Sequence, residues 1–269
     1  DGAWRVAQAV AKAMVAARRG GSIVNIASDA GLVGNSGAEI ASVSFRRMAE
    51  RHGHLAAVRE ELLTRDDLPV ETRQALVAKL SDTLARFVAH KEWLPSDRAE
   101  NVTREACDRA TVVLASETHD DEVAALVRHL VGTNQLTGGL ILRALVAGNL
   151  RFFVEALSQL SGYDVRRVEA IVSDRSGHGF EALYRQAGLP QAALRGFRAA
   201  LEVIYESGTS VNLLGHAVFR RRMVENVLAR CERTGEGDLD HLFAMLRKFA
   251  GEAAREEARL YAADLLAAA

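Results

Sequence analysis

"LTGGLILRALVAGNLRFFVEALSQLSGYDVRRVEAIVSDRSGHGFEALYRQAGLP", Leu136 to Pro190, is the stretch whose reading decides the fold class. Apolar residues recur in it with helical spacing: Phe152, Phe153, Ala156, Leu157 and Leu160, then Val165, Val168, Ile171 and Val172, then Phe180, Leu183, Tyr184 and Ala187. Gly148, Gly162 and Gly188 each fall just past such a run. That is where a helix closes most easily on a left-handed residue. Runs this short, joined by links this brief, predict antiparallel packing of successive helices.

The same grammar extends in both directions. All three prolines follow leucine, at Leu68-Pro69, Leu94-Pro95 and Leu189-Pro190, and each opens a new helical run. The expected core stripes are Leu76, Leu80, Leu84 and Phe87 after Pro69, and Val102, Ala106, Ala110 and Val113 after Pro95. After Pro190 the stripe is Leu194, Phe197, Leu201 and Ile204. A last long helix from about Leu239 to Leu266 carries Leu242, Phe243, Leu246, Phe249 and Ala253, behind the polar link "ERTGEGDLD". The expectation is an all-α domain over residues 38–269, an irregular array or bundle of about ten helices. Helix follows helix in a repeat-like way, but no strict sequence period supports a solenoid of near-identical units.

Bulk properties agree. The 269 residues suffice for one large or two small domains with a real core. With 34 basic and 35 acidic residues, no global field favours nucleic acid or an anionic membrane, and neither is expected as a partner. The longest apolar run, "LTGGLILRALVAG", is too short to span a bilayer and is broken by Arg143. Cys107 and Cys231 sit among apolar residues without CxxC spacing, so they read as buried reduced thiols suited to the cytoplasm.

Residues 1–37 read differently. An amphipathic helix over 3–18 ends at Gly20-Gly21, and "SIVNIA" follows as a short apolar strand. The piece "DGAWRVAQAVAKAMVAARRGGSIVNIASDAGLVGNSG" resembles one helix–strand–turn of the short-chain dehydrogenase/reductase family. The resemblance implies that Ser28 stands at the catalytic serine's position. It also implies a tyrosine and, four residues on, a lysine roughly a dozen residues later. Ala41 and Phe45 occupy those places, the first tyrosine in the chain is Tyr163, and the glycine-rich nucleotide turn is missing. A serine without a base does no acid–base work, so no dehydrogenase activity and no cofactor are expected. An isolated helix–strand remnant is expected instead.

From about Phe45 to Ala262 the chain resembles a bacterial domain-of-unknown-function family, DUF2336. The Leu136–Pro190 stretch carries the resemblance, with "TRDDLPVETRQALVAKLSDTLARFV", "WLPSDRAENVTREACDRATVVLA" and the tail from "RRRMVENVLARCERTGEGDLD" onward. It implies a helical fold and brings no activity or catalytic residue. The two resemblances meet near residues 37–45, a junction that reads as a natural fusion or a truncated or shifted reading frame.

Candidate sites are weak. In "SDRSGHGFEALYR", Arg175, Gly177, His178 and Gly179 precede a helix whose first N–H groups could hold an anion, against the plainer reading of a tight interhelical loop. In "ASETHDDEVAAL", His119-Asp120 suggests a metal-dependent helical hydrolase with His90 or His129 as further ligands. The plainer reading is Thr118 capping a helix whose acids complement its positive end. His52-Gly53-His54 reads as a loop, and Arg220–Arg222 as a solvated face screened by Glu225. No metal site is expected. The reading is a non-enzymatic interaction or regulatory module with a protein partner, its oligomeric state left open. A metal-dependent hydrolase and an inactive dehydrogenase fragment are the alternatives.

Overall fold

In the computed structural model, Lys12 and residues 42–207, 216–233 and 240–267 are described. These residues form twelve α-helices and one 3-10 turn, with no strand among them, so the all-α expectation holds. The strand expected at "SIVNIA" and the segment carrying Ser28 lie outside the described residues. The helix count exceeds the expected one partly because α1 (Ser42–His52) and α2 (Ala56–Leu63) are separated by only three residues. So brief a break barely interrupts an apolar period.

The chain divides into two compact units, Asp1–Thr118 and His119–Ala269, a boundary that the sequence pattern does not mark. In the first, α1 and α2 pack beside a long hairpin, α3 (Val70–His90) and α4 (Ser96–Glu117). Phe45, Ala49, Val58, Leu62, Leu68 and Leu76 make its core, with Met48 and Leu55 against it. Pro69 and Pro95 sit one place ahead of their helices, where their carbonyls accept from Arg73 and Ala99. That position costs no intrahelical hydrogen bond.

The seam between α3 and α4 is built of small side chains. From Ala85 on α3 to Ala115 on α4 the buried side chains are Ala85, Ala99, Thr103, Thr111, Val112 and Ala115, and the Thr103 and Thr111 hydroxyls donate to the carbonyls of Ala99 and Cys107 at 3.0 and 2.9 Å. Ser81 reaches Cys107 across the seam. Small residues let two helices approach closely and leave no room between them for leucine or phenylalanine. Two expected stripes are therefore corrected. Of Leu76, Leu80, Leu84 and Phe87 only Leu76 is buried, and Val102, Ala106 and Val113 are all exposed.

In the second unit the hub is α7 (Leu150–Ser161), which packs on α5 (Asp120–Gly132), α6 (Gly138–Val146), α8 (Val165–Ser173) and α9 (His178–Gln186). Phe152, Phe153, Ala156 and Leu157 are wholly buried, as the period predicts. A 3-10 turn, Gln191–Ala193, leads into α10 (Leu194–Ser207), followed by α11 (His216–Arg233) and α12 (Asp240–Ala267). Phe153, Phe180, Tyr184 and Phe197 form one aromatic cluster with centroids 5.3–6.3 Å apart, and the Tyr184 hydroxyl donates to the Pro190 carbonyl at 2.7 Å. Buried aromatics at that spacing contribute about 0.5–1.5 kcal/mol per pair beyond their burial.

Gly162 closes α7 at φ +74°, and Gly148 stands one residue past the cap of α6 at φ +85°. A side chain there would strain the backbone, which is why these stops are legible in the sequence. Helix starts are set by Thr137, Asn149 and Asp164, which accept from the backbone N–H of Leu140, Phe152 and Arg166. The expected cap at Thr118 is not made. Its hydroxyl donates back to the Leu114 carbonyl at 2.7 Å, and His119 occupies the N-cap position of α5 without a side-chain bond.

Candidate interaction surface

The displaced apolar residues make a surface. On α3, Leu80, Leu84 and Phe87 follow one another at intervals of four and three, and on α4 Val102, Ala106, Arg109 and Val113 do so at four, three and four. Each set makes a single stripe along its helix. At 3.6 residues per turn, each stripe lies roughly 100° behind its own seam-facing residues in the direction of the chain. Because the helices run antiparallel, equal offsets of this kind turn both stripes to the same side of the hairpin.

The exposures are high for such residues. Leu84 is 48% exposed, Phe87 47% and Val102 50%. Trp93, in the link between the helices, is 68% exposed and meets the Phe87 ring edge-on at 5.7 Å. Lys91 lies 5.9 Å from the same ring, giving this end of the face a cation. Scattered exposed leucines are ordinary in any protein, but an aligned run on two neighbouring helices is not. The apolar period places most of these residues in the core, and nothing in the pattern marks Trp93. The signal it lacked was the small-residue composition of the facing positions, Ser81, Ala85, Thr103 and Cys107.

The other candidates are placed as follows. Arg175 is exposed and its guanidinium lies 5.9 Å from the Tyr205 ring. Gly177 is the N-cap of α9 at φ +70°, His178 is the first helical residue, and a Cβ on Gly179 would meet Ile171 at 3.2 Å. Both glycines thus have conformational or packing reasons to be there. Asp174 accepts from the backbone N–H and hydroxyl of Ser176, which hold its carboxyl below the usual range, and it also feels His178. His178 therefore has the chain's own Asp174 carboxylate as a neighbour.

His119 is exposed, and His129 lies near the far end of α5, about 15 Å along the axis. Among the described residues no three His, Cys, Asp or Glu side chains cluster as a cation would require. The basic run at Arg220–Arg222 is partly neutralised as expected: Arg221 pairs with Glu225 at 2.8 Å and with Glu257 at 3.1 Å, and Arg220 pairs with Glu256 at 2.6 Å. A polar groove lined by Glu206, Asn226, Ala229, Arg230 and Glu232 is likewise internally matched, with Arg230 bound to Glu202 and Glu206. Neither Cys107 nor Cys231 is in a disulfide, and burial pushes both thiols up.

The family model described as "Uncharacterised protein conserved in bacteria (DUF2336)" matches residues 4–237. The chain belongs to the DUF2336 family. The match begins well ahead of residue 45, so DUF2336 takes in most of the stretch that resembles a dehydrogenase piece and runs across residues 37–45. It ends before α12, short of the resemblance drawn to Ala262. No curated protein and no solved structure matches the chain. Among the described residues, no helix is long and apolar enough to cross a membrane.

Proposed function

We propose that this member of DUF2336 is a non-catalytic helical interaction module whose working surface is the apolar face of the α3–α4 hairpin. The observation that carries the reading is the exposure of Leu80, Leu84, Phe87, Trp93 and Val102 on one side of two adjacent helices. Desolvating such a face supplies the driving force of association, and helices present it without the entropy cost of ordering a loop. The thiols of Cys107 and Cys231, held outside disulfides, suit a reducing cytoplasm. A photo-crosslinking amino acid placed at Leu84 or Ala106 in the living bacterium is expected to give discrete adducts, while the same group at exposed Gln186 on α9 gives none. Equal labelling at all three positions would remove the face from any role.

Residues 1–37 enter this reading as a dehydrogenase-like remnant in which Ser28 has neither its tyrosine nor its lysine. Titration with NADPH, followed by nicotinamide fluorescence, is expected to give no saturable change. A one-to-one binding curve would show a nucleotide site that the missing glycine turn argues against and overturn the remnant reading.

A further inference from the structure

We infer that α12 is a detachable strap over a helix-binding groove, and that an amphipathic helix with an acidic edge, supplied by a partner protein, takes its place there. The groove belongs to the second unit. α6 supplies Gly139, Leu142 and Arg143, α10 supplies Gly196, and α11 supplies Arg220 and Arg221. On α12 the stripe Leu242, Leu246, Phe249 and Ala253 is buried throughout. Anchors at intervals of four, three and four are how an amphipathic helix seats in a groove. The floor is cut close to it. A Cβ on Gly196 would meet Leu242 at 2.9 Å, and one on Gly139 would meet the Met245 sulfur at 3.5 Å.

Charge says what kind of helix fits. Three arginines of the groove hold three glutamates of α12: Arg143 pairs with Glu252, Arg220 with Glu256 at 2.6 Å, and Arg221 with Glu257 at 3.1 Å. Nearer the start of α12 the sign reverses, with its Arg247 on Glu232 at 3.3 Å, so the groove also reads the direction of the helix. Arg143 is the discriminating member, because it is buried and stacks on the Phe249 ring. A helix with no acid three residues past its aromatic would leave that charge desolvated and unpaired.

Two observations make α12 separable. Only α11 packs along it at length, whereas α7 has four such neighbours. From Ala258 to Ala263 every residue is exposed, Leu260 and Tyr261 included, and six residues go more than once round a helix. This part of α12 stands clear of the other described residues. An element with one long neighbour and an uncovered end opens at lower free energy than a hub.

Hydrogen exchange on the unaltered chain tests the strap. Amides from Leu246 to Ala253 are expected to exchange at least about tenfold faster than those from Phe152 to Leu157 in α7. Equal rates mean that α12 leaves only when the unit unfolds, and overturn it. Fluorescence anisotropy with a labelled peptide of the α12 sequence, Asp240–Ala267, tests the groove on the full chain. Phe249→Ser, which loosens the chain's own α12, is expected to bind the peptide at least about tenfold more tightly than the unaltered chain does. A peptide carrying Glu256→Lys and Glu257→Lys should bind that variant more weakly. Adding Arg220→Glu and Arg221→Glu to the variant should restore its binding, a rescue that misfolding does not mimic. No binding, equal binding to both chains, or binding indifferent to these charges overturns the groove. So does a Phe249→Ser chain that loses helical circular dichroism beyond the share of α12 itself. Crosslinking from positions 84 and 106 answers for the α3–α4 face separately, so the two readings fail independently.

Discussion

At the scale of single residues, Arg143 shows how sequence context misdirects. Within "LTGGLILRALVAG" it reads as a charge interrupting an apolar run, and every residue of α6 from Leu140 to Val146 proves to be buried, Arg143 included. Its guanidinium pairs with Glu252 of α12 and lies 4.1 Å from the Phe249 ring. That pairing spans over a hundred residues of chain and has no local signature, so the arginine was visible and its partner was not. Removing one member leaves the other charge buried and unpaired. Arg143→Ala is therefore expected to cost about 3–5 kcal/mol in urea denaturation. Replacing both, as Arg143→Met with Glu252→Leu, should recover all but about 1–2 kcal/mol, since the pair's desolvation cost vanishes with it. A double variant as unstable as the single one would mean that Arg143 acts mainly through its stacking on Phe249.

Helices were legible by period, and their ends by glycine, but only where glycine stands at the end. α3 closes on Glu92 at φ +58°, with the Trp93 N–H bonded to the Val88 carbonyl at 3.2 Å, and Asn134 plays the same part after α5 at φ +56°. Glu92 carries no stop signal, and Asn134 carries a weaker one than glycine. Glu92→Gly should relieve the left-handed strain and stabilise the chain by about 0.5–1 kcal/mol in thermal or urea melts. No gain would mean that the Glu92 side chain compensates for its backbone. The stripes on α3 and α4 were equally legible as apolar and equally silent about what covers them. Period reports which side of a helix is apolar, whereas the seam is decided by which side is small. Leu76→Ala is therefore expected to cost about 2–4 kcal/mol and Leu84→Ala under about 0.5 kcal/mol. Similar losses at both positions would return the stripe to the core.

For the whole molecule, the pattern of buried titratable groups sets the response to pH. Burial raises Cys107, Cys231, Tyr184 and Tyr205 above their ordinary values. Near Cys107, Asp108 and Asp82 push the same way against hydrogen bonds with Ser81 and Thr111; near Cys231, Glu202 and Glu232 oppose Arg195. A group whose folded pKa lies above its unfolded value stabilises the fold fully at low pH and loses that contribution as pH rises. For the thiols the loss begins near the unfolded value of about 8.5, and for the tyrosines near 10. On the acid side, burial lowers His52, so the fold weakens as pH falls through about 6.5, where the unfolded imidazole takes its proton. Asp67, held down first by its hydrogen bond from Arg65, contributes above its unfolded value and loses that only in stronger acid. Stability should therefore be greatest between about pH 7 and 8 and fall between pH 8 and 9.5. The thiols alone account for that alkaline window. Urea midpoints across it should drop in the native chain and stay level in Cys107→Ala with Cys231→Ala. An equal drop in the variant would assign the alkaline loss to groups other than the buried thiols.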